Sequence, residues 1–198
     1  AIAIGLGAGT NIQGQDGVAI GHDAGANNQG SYAIAIGYQA GNPSQQGTAI
    51  AIGYQAGVGL QGTSSVAIGY QAGNNTQNQN AIAIGTSAGQ YSQGPQSIAL
   101  GWFAAQTAQS GQSIAIGVQC GSSGQATNCV ALGYQAGQAG QNNASVAMGY
   151  QAGNLNQGIQ CVAIGYQAGN NGQNANSIAM GYQAGYTSQN SNSIAVGY

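Results

Sequence analysis

A 16-residue repeat constrains this chain more strongly than any other feature of its sequence. A four-residue motif reads Ile or Val, then Ala, then Ile, Leu, Met or Val, then Gly. Its glycine recurs at a constant interval, from Gly5, Gly21 and Gly37 to Gly197, without an insertion or deletion. Loops on a globular scaffold tolerate changes in length, so uniform spacing through the loops indicates that the loops stack as well. We therefore expect an elongated structure built from stacked copies of one unit.

Residue size alternates within the motif, as it does on many β-strands. The two bulky positions flank an alanine that is present in every copy, from Ala3 to Ala195. Because successive side chains of a strand point to opposite faces, one face is bulky and the other is small. We predict that the bulky columns pack inside the coil and that the small column faces outward as a self-association face. This predicted face comprises Ala35, Ala51, Ala67, Ala83, Ala99, Ala115 and Ala131.

These features predict an all-β fold, namely a parallel β-solenoid (β-roll) with one 16-residue coil per repeat. β-Branched residues at alternate positions favour strands, and each glycine would destabilise a helix by ~1 kcal/mol. Neighbouring coils pair in parallel about 4.8 Å apart, so a rod of about twelve coils is roughly 58 Å long. We expect residues 1–198 to form a single solenoid segment. The chain begins and ends inside the motif, which suggests a fragment of a longer repetitive chain.

A glutamine occupies the eighth position after the motif glycine in each coil. Its neighbours vary among Asn, Ser, Gly, Thr and Gln, whereas the glutamine itself is constant. This pattern favours an inward ladder in which the amides hydrogen-bond along the axis. The alternative is a turn residue that bonds the backbone of its own loop. The predicted structural ladder comprises Gln13, Gln29, Gln45, Gln61, Gln77, Gln93, Gln109, Gln125, Gln141, Gln157, Gln173 and Gln189.

The near absence of charge argues against several classes of function. The chain contains no Lys or Arg, two acidic residues and one His. Without basic residues it cannot release counterions from phosphates or attract anionic lipids, so we expect no nucleic-acid partner. No apolar run approaches the ~18 residues of a membrane span, so we expect no membrane insertion in this segment. Acid–base catalysis needs titratable groups, and we therefore predict no enzymatic activity and no cofactor.

Metal binding and glycosylation are each suggested by only a few residues. His22, Asp23 and Asp16 form the only ionisable cluster, but adjacent strand residues diverge and do not converge on one metal. We therefore predict no metal site. Asn74 and Asn143 match the N-glycosylation acceptor pattern and are possible glycosylation sites, although chance matches are expected in a chain this rich in Asn and Ser.

The three cysteines, Cys120, Cys129 and Cys161, replace small residues of the repeat. Cys129 and Cys161 share the small outward column two coils apart, hence ~9.6 Å by strand spacing. That separation exceeds the Cα–Cα limit of about 7 Å for a disulfide. We interpret all three as small apolar fillers, with a disulfide between chains of an oligomer as the alternative.

Aromatic residues occupy the position after the motif glycine in most coils. Tyr is the commonest residue there, and Trp102-Phe103 replaces the usual Tyr-Gln in one coil. A row of exposed rings would suit stacking on glycans or on a host surface, whereas the structural alternative is an aromatic ladder that stiffens a corner. The candidate surface-binding residues are Tyr38, Tyr54, Tyr70, Tyr134, Tyr150, Tyr166 and Tyr182.

Three copies of the motif carry a resemblance to a known family. The segments SVAIG (65–69), SIAIG (113–117) and SVAMG (145–149) resemble the head repeats of trimeric autotransporter adhesins. Similar SIAIGYQAG-type repeats occur in fibre proteins of large viruses and phages. The resemblance implies a left-handed parallel β-roll that is trimeric, lies outside a cell or virion and serves attachment. The adhesin coil is usually shorter than the one found here.

Taken with the resemblance, these observations favour an extracellular structural filament or adhesive fibre shaft, formed by lateral self-association of the solenoid. The resemblance favours a trimer, and a host surface or glycan would be a further partner. The alternative is a glycan-binding or surface-binding module that uses the Tyr column. An ice-binding solenoid is less well supported because Thr is scattered along the chain. A functional amyloid, with which this chain shares parallel in-register stacking and Gln ladders, is a further but less well supported alternative.

Overall fold

The computed structural model describes all 198 residues and consists of short β-strands joined by turns. No segment forms a helix that could cross a membrane. The strands are β1 (Ile2–Ile4), β2 (Val18–Ile20), β3 (Ile34–Ile36), β4 (Pro43–Gln45), β5 (Ile50–Ile52), β6 (Gly59–Gln61), β7 (Val66–Ile68), β8 (Thr76–Gln77), β9 (Ile82–Ile84), β10 (Ile98–Leu100), β11 (Thr107–Gln109), β12 (Ile114–Ile116), β13 (Ser123–Gln125), β14 (Val130–Leu132), β15 (Ala139–Gln141), β16 (Val146–Met148), β17 (Leu155–Gln157), β18 (Val162–Ile164), β19 (Asn171–Gln173), β20 (Ile178–Met180), β21 (Thr187–Gln189) and β22 (Ile194–Val196).

One face of each coil belongs to a single parallel sheet of 13 strands. The strands of this sheet are the copies of the motif, and each pairs with the copy in the next coil. Ile36 of β3, for example, pairs with Ile52 of β5, which in turn pairs with Ile68 of β7. This register confirms the predicted parallel β-solenoid with one 16-residue coil per repeat.

The opposite face of the coil carries a second, less regular ladder. It consists of a three-stranded sheet, β4-β6-β8, and a six-stranded sheet that runs from β11 to β21. Isolated parallel bridges between Gln13 and Gln29, Gln29 and Gln45, Gln77 and Gln93, and Gln93 and Gln109 extend and connect these sheets. The coil is therefore a flattened loop with two β-faces joined by turns.

The orientation of the motif strand is opposite to the prediction. The alanines proposed as an outward self-association face, namely Ala35, Ala51, Ala67, Ala83, Ala99, Ala115 and Ala131, are all 0% exposed. The bulky residues on either side of them point outward, and none is fully buried. The assignment of the alanines to the outer surface is therefore wrong.

The width of the coil explains this orientation. The turn that follows the motif strand folds back over the alanine, so that a Cβ built on Gly121 would lie 3.3 Å from the Cβ of Ala115. The same Cβ would lie 3.1 Å from the amide of Gln125 on the second ladder. A branched side chain at the alanine position would overlap the opposite wall, and close-packed interiors do not absorb extra methylene groups. The bulky residues therefore face outward.

The core is built from small side chains and the glutamine column. Besides the motif alanines, it contains a second small column and the residue that precedes each motif strand, which is mostly Ala, Ser or Cys. The second small column comprises Ala24, Ala40, Ala56, Ala72, Ala88, Ala104, Cys120, Ala136, Ala152, Ala168 and Ala184. Because the coil encloses so little apolar volume, hydrogen bonds from buried amides and between stacked backbones contribute much of the stability of the fold.

The motif glycine forms a sharp corner after each strand of the large sheet. Gly117, in the middle of the rod, has a φ of 132°, a conformation that L side chains rarely adopt. A Cβ at this position would lie 2.2 Å from the carbonyl oxygen of Gly133 in the next coil. Glycine is therefore required here for both conformation and space.

Candidate functional site

The glutamine column lies inside the coil and links three parts of the structure. Gln109 is representative: its Nε2 donates to the carbonyl oxygen of Ile98 at 2.9 Å and of Ser113 at 3.1 Å. It also donates to Oε1 of Gln125 in the next coil at 3.0 Å. The amide of Gln109 thus joins one motif strand, the loop before the next motif strand and the neighbouring coil. The glutamines from Gln29 to Gln189 are all buried.

Amide-to-amide contacts along this column are not continuous. The Oε1 atoms of Gln29, Gln61 and Gln157 are buried and accept no hydrogen bond. In contrast, the run from Gln77 to Gln141 is connected at every step by Nε2–Oε1 distances between 3.0 and 3.3 Å. The bonds to backbone carbonyls are therefore the more regular of the two kinds of contact.

The Tyr column lies on the surface, in the turn after the large sheet, and its rings stack on one another. Tyr38, Tyr54 and Tyr70 form one ladder, which His22 extends by a further ring. A second ladder runs from Tyr134 to Tyr198. Between consecutive Tyr rings the centroids are 5.0 to 5.2 Å apart.

Stacking determines which part of each Tyr ring meets solvent. Rings within a ladder are nearly parallel, with 6° between Tyr150 and Tyr166, so each internal ring has both faces against its neighbours. The ring edges and hydroxyl groups remain exposed. Stacking of a sugar needs a free ring face, so the interior of a Tyr ladder offers a row of hydroxyl groups instead.

A second file of glutamines runs beside the Tyr rings. These residues directly follow the Tyr in sequence, and their amides also hydrogen-bond from coil to coil. Nε2 of Gln55 donates to Oε1 of Gln39 at 3.0 Å, and Gln71 repeats this contact with Gln55. The same pattern links Gln135 to Gln119 at 2.9 Å. Tyr and Gln thus form paired ladders on one corner of the rod.

The ionisable residues do not form a site. Nδ1 of His22 lies 3.2 Å from a carboxylate oxygen of Asp23, and both side chains are partly exposed. No group of three or more His, Cys, Asp or Glu side chains is placed to hold a metal ion. His22 instead stacks on Tyr38 with the ring centroids 5.3 Å apart.

The two glycosylation candidates lie in different environments. Asn74 is half-buried, and its Nδ2 donates to the carbonyl oxygen of Gln55 at 3.0 Å. Asn143 is exposed, and its Oδ1 accepts a bond from the backbone of Thr127. The hydroxyl of Ser145, which completes the second acceptor pattern, is buried and donates to the carbonyl oxygen of Gly158. Modification at either asparagine remains a prediction.

All three cysteines are buried as free thiols. The prediction that Cys129 and Cys161 face outward is therefore wrong, because the column they share lines the core. Burial raises the pKa of the Cys120 thiol to about 12, and it also raises the pKa of Cys129. Thiolates, which are the reactive form, are therefore disfavoured in the folded chain.

Thiol reactivity provides a test of this burial. In the native protein we expect a thiol-specific reagent such as DTNB to label none of the three cysteines within minutes at pH 8, and all three after denaturation. Raising the pH destabilises the fold through Cys120, because an unfolded thiol ionises above pH 9, well below the folded pKa of about 12. This loss should be smaller in C120A. Rapid labelling of native protein would contradict the buried placement.

The outer face of the large sheet carries the main apolar feature of the surface. Two files of Ile, Val, Leu and Met side chains run along the rod, and Leu100, Leu132, Met148 and Met180 are among the most exposed. The sequence does not reveal this surface, because the alternation of large and small residues identifies two faces of the motif strand without indicating which one is internal. The short repeat length was the available signal, since a 16-residue coil encloses little volume.

Part of the 16-residue repeat matches a known protein family. Residues 13–40, 47–72 and 61–88 match the family model of the YadA head domain repeat (2 copies). These segments are similar to YadA head repeats. The resemblance to the heads of trimeric autotransporter adhesins is thereby confirmed. Comparisons with curated proteins and with solved structures found no match.

The segments that match the YadA head repeat cover about a third of the chain and include the whole first Tyr ladder. The same 16-residue unit continues from residue 89 to Tyr198 without a change in length or strand register. The chain is therefore an adhesin-like repeat protein that forms a β-solenoid along its described length.

Proposed function

We propose that this chain is a segment of an extracellular adhesive fibre, in which copies associate side by side through the outer face of the 13-stranded sheet. The observation that carries the proposal is the uncovered apolar face of that sheet. The YadA head repeats support it, because the family is one of trimeric surface adhesins. A trimer, with three such faces turned toward a common axis, is the assembly that we propose.

The apolar face has the properties of an interface. It is continuous over thirteen strands, and its side chains repeat once per coil. At about 4.8 Å per coil it extends over roughly 58 Å. Continuous exposed apolar surface of this extent, bordered by polar residues, marks an interaction site in soluble proteins. An identical surface on a second copy matches it in length and register.

The rest of the surface suits a fibre exposed to its surroundings. It is made of Asn, Gln, Ser, Thr, Gly and the Tyr edges, with no Lys or Arg and only two acidic residues. Trypsin therefore has no cleavage site in this chain. The proposed role requires no catalysis, since the shaft acts by its length, its stability and its surface.

Introducing charge on the apolar face tests the proposal. We expect the unmodified chain to sediment as an oligomer, and I36K/I68K/I164K to sediment as a monomer at the same concentration. Each of these isoleucines points outward in the large sheet, and burial of an unpaired ammonium in an apolar interface is strongly unfavourable. Sedimentation velocity analysis gives the mass of both species.

A matched variant separates loss of the interface from added charge. Q46K/Q79K/S110K introduces the same three charges at exposed positions outside the large sheet. We expect it to retain the oligomeric state. A chain that is monomeric without any substitution, or charged variants that behave alike, would refute lateral association through this face.

A further inference from the structure

The two Tyr ladders are separated by three coils that lack Tyr at the ladder position. Thr86, Trp102 and Val118 occupy the ladder position in these coils. Their backbones keep the regular register: the N–H of Phe103 donates to the carbonyl oxygen of Thr86 at 3.0 Å, and that of Gln119 donates to the carbonyl oxygen of Trp102 at 2.9 Å. A single large aromatic ring therefore stands between two short side chains.

Trp102 differs from the Tyr rings in what covers its faces. The side chains of Thr86 and Val118 end at the γ position, so they reach only the base of an indole ring. No aromatic ring from a neighbouring coil stacks on Trp102; its single aromatic contact is with Phe103, at 4.5 Å between centroids and 49° between planes. The residue is 49% exposed. The indole of Trp102 therefore lacks the coil-to-coil ring stacking that covers the faces of the Tyr rings, and Phe103 is its only aromatic contact.

Two polar side chains in the coils on either side of Trp102 have groups without protein partners. The hydroxyl of Thr86 is exposed and forms no hydrogen bond within the chain. In the second glutamine file each Nε2 donates to the glutamine of the preceding coil, but the residue preceding Gln119 in that file is Phe103. The Oε1 of Gln119 accepts a bond from Gln135, whereas its Nε2 has no acceptor in the protein. One hydroxyl and one amide donor are thus free in the two coils adjacent to Trp102.

The surroundings of Trp102 are uncharged. The chain has no Lys or Arg, and Asp16 and Asp23, its only acidic residues, lie five or more coils away. A ligand for this site therefore needs no charge, a flat apolar face and hydroxyl groups at its edge. Neutral pyranose sugars combine these properties, since one face of the ring is formed by C–H groups. Nucleotides are disfavoured because no basic residue is present to bind phosphate.

We propose that Trp102, Phe103, Thr86 and Gln119 form a single binding site for a neutral saccharide. The sugar stacks its C–H face on the indole of Trp102, accepts a hydrogen bond from Nε2 of Gln119 and exchanges hydroxyl contacts with Thr86. Trp102 lies in the turn after β10, outside the apolar sheet face, so this site does not depend on lateral association. The interior rings of the Tyr ladders have both faces covered and do not bind the sugar.

Trp102 is the only tryptophan in the chain, so its fluorescence reports on this site alone. The probes are neutral hexasaccharides of glucose, N-acetylglucosamine and mannose, in α- and β-linked forms. We expect at least one of them to change the emission saturably and to protect Trp102 from quenching by acrylamide. With that sugar immobilised, W102A should bind at least about tenfold more weakly, as for an aromatic hot spot. Q119L should bind roughly fivefold more weakly.

A designed control completes the ladder instead of removing the indole. T86Y/V118Y places a Tyr ring on each side of Trp102 in the register of the existing ladders, so binding should be lost while the circular dichroism spectrum is unchanged. Y150A lies inside the second ladder and should bind normally. The site is refuted if no hexasaccharide gives a saturable response, or if T86Y/V118Y binds as the unmodified chain does.

The outcome is separable from that of the proposed fibre. I36K/I68K/I164K changes the apolar face and leaves the four residues of the site in place. It should bind the sugar with unchanged affinity even as a monomer. Sugar binding that disappears with the oligomer would overturn a site formed within one chain, whereas a monomeric unmodified chain that still binds would refute lateral association alone.

Discussion

G117A is expected to melt the coils around the substitution and to destabilise the chain by about 3 kcal/mol or more. Gly117 has a φ of 132°, and an added Cβ would lie 2.2 Å from the carbonyl oxygen of Gly133. Both the strained dihedral angle and the overlap with a rigid backbone oppose the folded state. Because each coil contacts only its neighbours, the damage should be greatest near residues 101–133. Hydrogen exchange followed by mass spectrometry measures this local loss of protection.

G47A is the matched control for this substitution. Gly47 has no positive φ, and the nearest atom to an added Cβ is the carbonyl oxygen of Ser31 at 3.5 Å, which is an ordinary contact. A Gly-to-Ala change at a compatible position reduces the entropy of the unfolded chain, so G47A should be neutral or slightly stabilising. Equal exchange in G117A and G47A would show that the corner does not require glycine.

Q109L should destabilise the rod by about 3 kcal/mol, although leucine has nearly the volume of glutamine. The substitution removes the bonds from Nε2 to the carbonyl oxygens of Ile98 and Ser113 and to the amide of Gln125. It also leaves Nε2 of Gln93 without its acceptor in the next coil. Buried polar groups that lose their partners cost about 1–3 kcal/mol each, with partial relaxation reducing the sum. Thermal denaturation followed by circular dichroism gives the change in stability.

An exposed glutamine in the same coil provides the comparison for Q109L. Gln112 is exposed and forms one long contact of 3.4 Å with Gln96. Q112L should therefore change stability by no more than about 0.5 kcal/mol. If Q109L were as stable as Q112L, the inner glutamines would be space-filling residues, and their amide bonds would contribute little to the fold.

The inward alanines and outward isoleucines change how the motif is understood. In a larger domain, the bulky columns would form the core because they bury the most apolar area. In this coil, the interior accepts only methyl groups, hydroxyls, thiols and one extended amide. The outer halves of the Ile and Val side chains stay exposed within one chain. Covering them requires a second surface, which is the physical basis of the proposed lateral assembly.

Other features could be recognised only in part from the residues. The repeat shows that the tyrosines form one column along the rod. The short distance between coils makes their ring faces cover each other, so that edges and hydroxyl groups face solvent. Trp102-Phe103 stood out as a single variation. The significance of Thr86 and Gln119 follows from their positions in the two adjacent coils, one below Trp102 and the other above Phe103 along the rod.

The repeat length, the strand motif and the parallel in-register stacking follow from the residues alone, because a uniform 16-residue period places the copies on one another. The large and small faces of the strand also follow from the residues, since side chains alternate along an extended backbone. Which of these faces is internal is known only from the folded coil. That choice depends on the distance between opposite walls of the coil, which the turns set and which leaves room for alanine but not for isoleucine.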